Sequence, residues 1–388
     1  MWRIRLFLFA LIQKLLVAIL FTACNFFLTH NVYGGDLKLE HRLIGQISYG
    51  FETNVFQSQE NPRDDFYILV EGSTHFLIRP SSRDTIYVDI LGSYQAFQRL
   101  KNSNQFFIDT AIDLQHKINS FWDVGFSQIF SYNDLKLLDT EGEPLPGSKI
   151  GSVNYQSRFY VLLFPGDDWV GELGGGFRRK DVEESEGLIS LDLNAFFGDA
   201  ALRYYFTRSS LIRLKYVGSY FDYDRLKAGT APTGIPSEVS PGLAFKRHDI
   251  KFKVYIREFE KIQAIGIGKF RYNEDPYQQD LSYDQYEGVG QVKVKIFWNI
   301  SVNSSMAYRI RDYRTRASNV FVDPNSGQIL PARAKLKENF LIFEASVYKK
   351  LFSPIDLSLR YVWIKKNTNA IGGDFESAQG TIGLRATF

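Results

Sequence analysis

From His41 to Phe388 the chain alternates between apolar and polar residues with a period of two, and helical periodicity is hard to find anywhere. In HRLIGQISYGFETNVF, Leu43, Gly45, Ile47, Tyr49 and Phe51 share one face, with Gln46, Ser48, Gly50 and Glu52 on the other. FYILVEGSTHFLI sets Phe66, Ile68, Val70, Gly72, Thr74 and Phe76 against Glu71, Ser73 and His75. QVKVKIFWN sets Val292, Val294, Ile296 and Trp298 against Gln291, Lys293 and Lys295. The 33 Phe and 22 Tyr suit this pattern, because aromatic side chains fit a pleated surface.

Sixteen such runs can be marked: 41–56, 66–78, 85–97, 105–117, 122–133, 154–164, 169–180, 188–206, 210–224, 246–258, 262–272, 283–298, 302–315, 336–349, 355–366 and 376–388. The phase slips near Gly198-Asp199, which predicts a bulge or turn there. Odd-numbered connections include the long segments 134–153, 225–245 and 316–335, whereas even-numbered ones include RPSSRD, NSF, PGDD, TRSS and NIS. Long loops on one side and tight turns on the other are the asymmetry of outer-membrane barrels. The expected fold is therefore all-β: a transmembrane antiparallel up-and-down β-barrel of about sixteen strands with short periplasmic turns and long extracellular loops. Closure has a physical cause, since backbone groups facing hydrocarbon must all be paired within the protein. A soluble propeller also alternates, but no repeated blade sequence is visible.

The amino terminus is of a different kind. Arg3 and Arg5 precede an apolar run interrupted by Gln13 and Lys14, which reads as an export signal spanning 1–34, cleaved after Gly34, ahead of a single barrel domain at 35–388. Two alternatives stay open: a retained anchor built on Leu15–Leu28, and lipidation at Cys24 within Phe21-Thr22-Ala23-Cys24. Cleavage after Gly34 leaves a mature chain without cysteine, so no disulfide supports it. Beyond residue 35 no apolar stretch is long enough for a membrane helix.

If the apolar face meets lipid, the other face lines the interior. A basic wall is then expected from Arg213, Lys215, Lys251, Lys253, Arg257, Lys269, Arg271, Lys293, Lys295, Arg309 and Arg311, with Glu287 its main acidic exception and Arg360 and Arg385 extending it. An acidic wall is expected from Glu52, Glu71, Asp89, Asp109 and Asp113. Either these charges pair in a packed lumen and only stabilise it, or they line a water-filled channel and select solutes by sign. Sixteen strands suffice geometrically for an aqueous lumen.

Aromatic groups at strand ends (Phe66-Tyr67, Phe106-Phe107, Phe121-Trp122, Trp169, Trp298, Trp363) read as interfacial girdles. Catalytic signals are thin. His75 with Ser73 and Asp89 is a faint echo of a hydrolase triad. His116 and His248 fall on the presumed lipid face. Gly266-Ile267-Gly268-Lys269 is no phosphate loop, and Gly174-Gly175-Gly176 marks a bulge or a close approach. DPNSGQ at 323–328 lacks the ligand spacing of a calcium loop, and no His/Cys/carboxylate cluster has metal-ligand spacing. No cofactor is implied. A net charge of only +3 does not argue for nucleic acid.

YGFETNVFQ resembles the "YDSNVF" opening strand of the outer-membrane β-barrel porins of the type-2 kind. DDFYILVEGSTHFLI, the RPSSRDTIYVDILGSY hairpin and the closing LSLRYVWIKKNTNA and GTIGLRATF fit the same family pattern, although Phe51-Glu52-Thr53 departs from the commoner Asp-Ser. The resemblance implies a barrel in the outer membrane of a Gram-negative bacterium, with membrane lipid around it and a polar or anionic solute, or an exported polysaccharide, inside it. The family supplies no catalytic residues. GTIGLRATF also resembles the signal read by the barrel assembly machinery, with Gly380, Ile382, Leu384, Ala386 and Phe388 on one face. As the last strand it is expected to pair with the first near His41–Phe56.

Overall fold

The computed structural model describes residues 38–53, 64–100, 104–138, 144–182, 192–227, 242–259, 261–275, 282–317, 321–322, 329–330, 335–369 and 374–388. The expected export segment, Cys24 included, and DPNSGQ lie outside them.

Sixteen strands form one closed antiparallel barrel. They are β1 (Lys38–Glu52), β2 (Asp65–Arg79), β3 (Asp84–Phe97), β4 (Gln105–Lys117), β5 (Trp122–Leu138), β6 (Pro144–Gly166), β7 (Trp169–Val182), β8 (Leu193–Tyr205), β9 (Leu211–Lys227), β10 (Gly242–Phe259), β11 (Ile262–Glu274), β12 (Tyr283–Lys295), β13 (Ile300–Ala317), β16 (Lys335–Phe352), β17 (Ile355–Thr368) and β18 (Phe375–Thr387). The two remaining strands, β14 (Phe321–Val322) and β15 (Ile329–Leu330), form a separate ribbon in the β13–β16 connection. Every barrel strand pairs with its sequence neighbour, and β18 returns to β1, from Ile44↔Thr387 to Glu52↔Gln379. The seam ends where Leu43 and Phe388 exchange backbone hydrogen bonds of 2.9 and 2.8 Å. Closure removes the edge strands of the barrel sheet.

The two faces separate cleanly. Leu43, Ile47, Phe66, Val70, Phe159, Leu173, Phe252 and Leu384 stand exposed on the outer face. On the inner face, side chains reach past a whole strand to meet: Arg158 of β6 bonds Asp199 of β8, and Arg213 of β9 bonds Glu172 of β7. Such convergence belongs to a concave surface. An outer apolar band on a closed barrel is the surface that hydrocarbon requires. The protein is an outer-membrane β-barrel.

The periplasmic turns are built from local polar chemistry. Asn119 Oδ1 accepts from the N–H groups of Phe121 and Trp122 at 2.8 and 3.0 Å, and Ser81 Oγ accepts from those of Arg83 and Asp84 at 3.1 Å. In the β12–β13 turn, Trp298 and Asn299 both take positive φ, 61° and 58°, the pairing a two-residue hairpin of matching twist demands. Asn tolerates this conformation; Trp does so at a cost, and its ring is 81% exposed at the membrane boundary. Phe121, Trp122, Trp169, Phe206, Phe352 and Phe388 stand exposed at the same end and complete a periplasmic girdle.

Several expectations need correction. In two of the aromatic pairs assigned to girdles only the first member, Phe66 or Phe106, faces lipid. Tyr67 is fully buried on the inner face against Phe97, and Phe107 shares that face with Ser93 and Asn133. Adjacent residues of a strand cannot share a side. Trp298 sits in a turn, since β12 ends at Lys295. The expected loop 134–153 is mostly strand: β5 and β6 run on as a hairpin in which Leu135 pairs Ile150 and Leu138 pairs Pro144. The slip at Gly198-Asp199 produces neither bulge nor turn, and β8 pairs both neighbours without a register shift.

Candidate functional site

Cross-strand register places every residue of the expected basic wall except Arg257 with a paired partner on the inner face. Lys215 lies opposite Lys251, which lies opposite Lys269, then Glu287, then Arg309. One row away Arg203 faces Arg213, and Arg213 faces Lys253. Arg271 lies between Asp249 and Gln285, Arg311 between Gln285 and Glu338, Lys293 between Gln263 and Asn303, and Lys295 opposite Ser301. Arg257 lies at the β10 irregularity between Ile256 and Phe259, and two-residue alternation from Lys253 puts it on the same face. Arg360 and Arg385 also face inwards, opposite Ser346 and Gln46.

These bases divide into two kinds. Those around Glu172 and Asp199, on β6 to β9, are saturated by carboxylates, whereas Arg178 of β7 bonds only Gln156 among the described residues. Arg158 donates to Asp199 through Nε at 2.8 Å and Nη2 at 2.5 Å, and to Glu172 at 2.6 Å. Arg213 reaches Glu172 at 3.0 Å, Arg203 bonds the same oxygen, and Lys215 approaches Asp199 at 3.7 Å. The Glu172 and Asp199 side chains are only 4% and 2% exposed. The glycine run makes room for this network. A Cβ on Gly174 would lie 2.7 Å from Arg158 Nη2, and one on Gly176 would lie 2.0 Å from the Ser157 carbonyl oxygen. The run is therefore a close approach, not a bulge. Smaller pairs follow: Arg271–Asp249 at 2.6 Å, Arg360–Glu344 at 2.9 Å, and Glu338 with Arg311 at 3.3 Å and Lys366 at 2.7 Å. Arg309 stacks over the Phe340 ring at 4.1 Å.

Lys251, Lys253, Arg257, Lys269, Lys293 and Lys295 are different: among the described residues, no carboxylate forms an ion pair with any of them. Two contiguous like-charge rows, Lys215–Lys251–Lys269 and Arg203–Arg213–Lys253, are thus stacked on β8–β11. Like charges directly opposite one another destabilise a sheet.

The expected acidic wall also lies inside. Glu52 accepts from Gln95 and Gln379, both at 3.3 Å, and Glu71 lies opposite Gln46 and Ser93. Asp109 accepts from Ser131 at 2.8 Å and Asp113 from Tyr160 at 2.6 Å. Asp89 lies 2.6 Å from His75 Nδ1, whereas Ser73 makes no hydrogen bond to that ring, so the triad is not assembled. His116 and His248 take the outer face, bonded to Asp84 and Tyr216 at 2.8 and 2.7 Å. Gly380, Ile382, Leu384 and Ala386 of β18 face lipid opposite Phe51, Tyr49, Ile47 and Gly45, and Phe388 continues their face.

Arg158, Glu172, Asp199 and Arg203 were not singled out from sequence. Glu172, Asp199 and Arg203 sit on the inward phase of glycine- or alanine-rich stretches of β7 and β8, and a charge in such a stretch was the available signal.

No family model and no curated protein matches the sequence. Solved structures do. The outer-membrane channel DcaP of Acinetobacter baumannii superposes with a TM-score of 0.53 at 12% identity, covering 92% of this chain and 98% of that one. An anion-selective porin from Comamonas acidovorans gives 0.48 at 9% identity over 91% and 100%. The outer-membrane protein opdK of Pseudomonas aeruginosa gives 0.45 at 11% identity over 92% and 100%. At such identities the likeness is one of fold, and the fold of this chain is that of a porin-like outer-membrane barrel.

Proposed function

We propose that this barrel is a channel for small polar anions. The observation that carries the reading is a group of six inner-face bases on β10–β12 that no described carboxylate pairs with. A charge network built only for stability would neutralise them, as Glu172 and Asp199 neutralise the bases around them. On the opposite wall Asp109 and Asp113 accept from hydroxyls and Asp89 lies against His75, so the two walls differ in sign, and walls of one sign select permeant ions by charge. Planar bilayers under a salt gradient test this: the reversal potential is expected to report anion preference. Absence of stepwise conductance in every preparation would remove the channel reading.

A second reading is a non-conducting barrel that holds a partner on its outer hairpins. The β5–β6 hairpin favours it, and truncating that hairpin would then abolish partner capture while leaving the barrel folded. Passage of an acidic exopolysaccharide is a narrower form of the channel reading, supported only by the family resemblance; block of the current by uronic-acid oligomers, and not by neutral ones, would sharpen it. We further infer export by a signal cleaved after Gly34, for which the intact mass of the purified protein is the measurement. Recognition of the Phe388 face by the assembly machinery predicts that deleting Phe388 lowers the amount of folded barrel in the outer membrane without changing single-channel conductance.

A further inference from the structure

The lumen wall carries an apolar stripe that a channel for purely hydrophilic ions has no use for. Ile267, Val289, Ala307, Ile342 and Ile364 stand opposite one another in a single row across β11, β12, β13, β16 and β17. They share the inner face with Lys269, Glu287 and Arg309, which occupy the next row. At about 4.8 Å per strand the stripe spans roughly 19 Å of the wall. All five side chains are partly exposed, and none belongs to a buried apolar cluster.

Local alternation makes this placement pointed. In Gly266-Ile267-Gly268 and Gly288-Val289-Gly290 the glycines face lipid and the branched residues face the lumen. Gly266 opposes Gly290 and Gly268 opposes Gly288, and a Cβ on any of the four would meet nothing within 4 Å. Lipid could accept an apolar side chain at all four positions, yet the sequence sets its apolar groups inwards. The interior of a water-filled barrel is ordinarily polar. The stripe also begins beside free cations: Lys253 lies opposite Ile267, and Lys269 is two residues further along the same face of β11.

We propose that this wall is a binding site for amphipathic anions, in which an aryl or alkyl group lies on the Ile267–Ile364 stripe and its sulfonate or carboxylate is held by Lys253 and Lys269. The assignment builds on the anion-channel reading and adds the solute class to it. The charge requirement comes from the unpaired bases, and the apolar requirement from a lumen surface that only an apolar group covers without loss.

Benzenesulfonate and isethionate are suitable probes, since both are permanently charged sulfonates and only one has an apolar body. The full-length barrel in a planar bilayer is titrated with each while its chloride current is recorded. Calorimetric titration of the detergent-solubilised barrel with each probe runs in parallel. Benzenesulfonate is expected to half-block the current, and to bind, at a concentration at least tenfold below isethionate. In the triple variant Ile267→Thr, Val289→Thr, Ile342→Thr, which keeps β-branched residues in the strands, that preference should vanish while anion selectivity in chloride persists. Lys253→Gln with Lys269→Gln should weaken both probes. Equal potency of the probes in the unmodified barrel overturns the site, as does a triple variant that is folded by heat-modifiable migration and retains the preference. Benzenesulfonate binding without any conductance would keep the site and remove the channel.

Discussion

The two halves of the basic lumen wall use one type of residue for opposite ends. On β6–β9, Arg158, Arg203, Arg213 and Lys215 converge on two almost fully buried carboxylates, and the result is a brace. On β10–β12, Lys251, Lys253, Arg257, Lys269, Lys293 and Lys295 have no such counter-charge, and the result is a surface held ready for one. Counting bases does not separate the two. What separates them is whether a carboxylate comes within ion-pair distance, since Lys269 has Glu287 opposite it in the register and forms no ion pair with it, and the difference suits an allotment of stability and selectivity to different arcs of a single barrel.

Removing the brace should have the largest effect. Glu172→Ala leaves three arginines around an emptied site, and a buried charge that loses its partner costs about 3–5 kcal/mol. Urea unfolding of the variant in detergent is expected to show a loss of that size; a change under 1 kcal/mol would mean water already screens the network. Next, Gly176→Ala forces a methyl group onto the Ser157 carbonyl, and a loss of about 1–3 kcal/mol is expected by the same measurement. The contrasting arc responds in the opposite sense. Replacing Lys251, Lys253 and Lys269 together by Gln removes opposed like charges, so stability should hold or rise by up to about 1 kcal/mol, while the reversal potential moves towards zero. That shift should shrink in 1 M salt, where the screening length falls to about 3 Å. Smallest of all, Gly268→Ala meets open space facing lipid and should stabilise the barrel by about 0.4–1 kcal/mol, visible as a raised unfolding midpoint.

Much of the fold was legible because a pleated strand has a side-chain period of two and lipid enforces it over hundreds of residues. Glu71 and Val70 needed no structure to be assigned to opposite faces. Legibility failed where another influence competed with the pattern. The segment at 134–153 contains Pro144, Pro146 and Gly147, which read as a loop, yet pairing between β5 and β6 carries the hairpin through it. The sequence suggests a slip of phase at Gly198-Asp199, yet Asp199 faces Arg158 in the lumen as its position in the strand requires. Tyr67 and Phe107 were grouped with their outward neighbours because an aromatic pair looks like one anchor, although a strand sends its members to opposite sides. Gly-Ile-Gly and Gly-Val-Gly reverse the usual assignment of apolar residues to lipid, and only the register with Lys253 and Glu287 exposes it.

The sequence by itself determined the strands, their faces, the side on which long connections fall and the closure of the last strand onto the first, because each follows from local periodicity or from the need to pair every backbone group in hydrocarbon. Tertiary structure alone decided which charges are neutralised. Arg158 and Asp199 are 41 residues apart, and Arg213 and Glu172 equally so. Their meeting depends on strand register and on the convergence of side chains across the concave face, neither of which is written in any single strand.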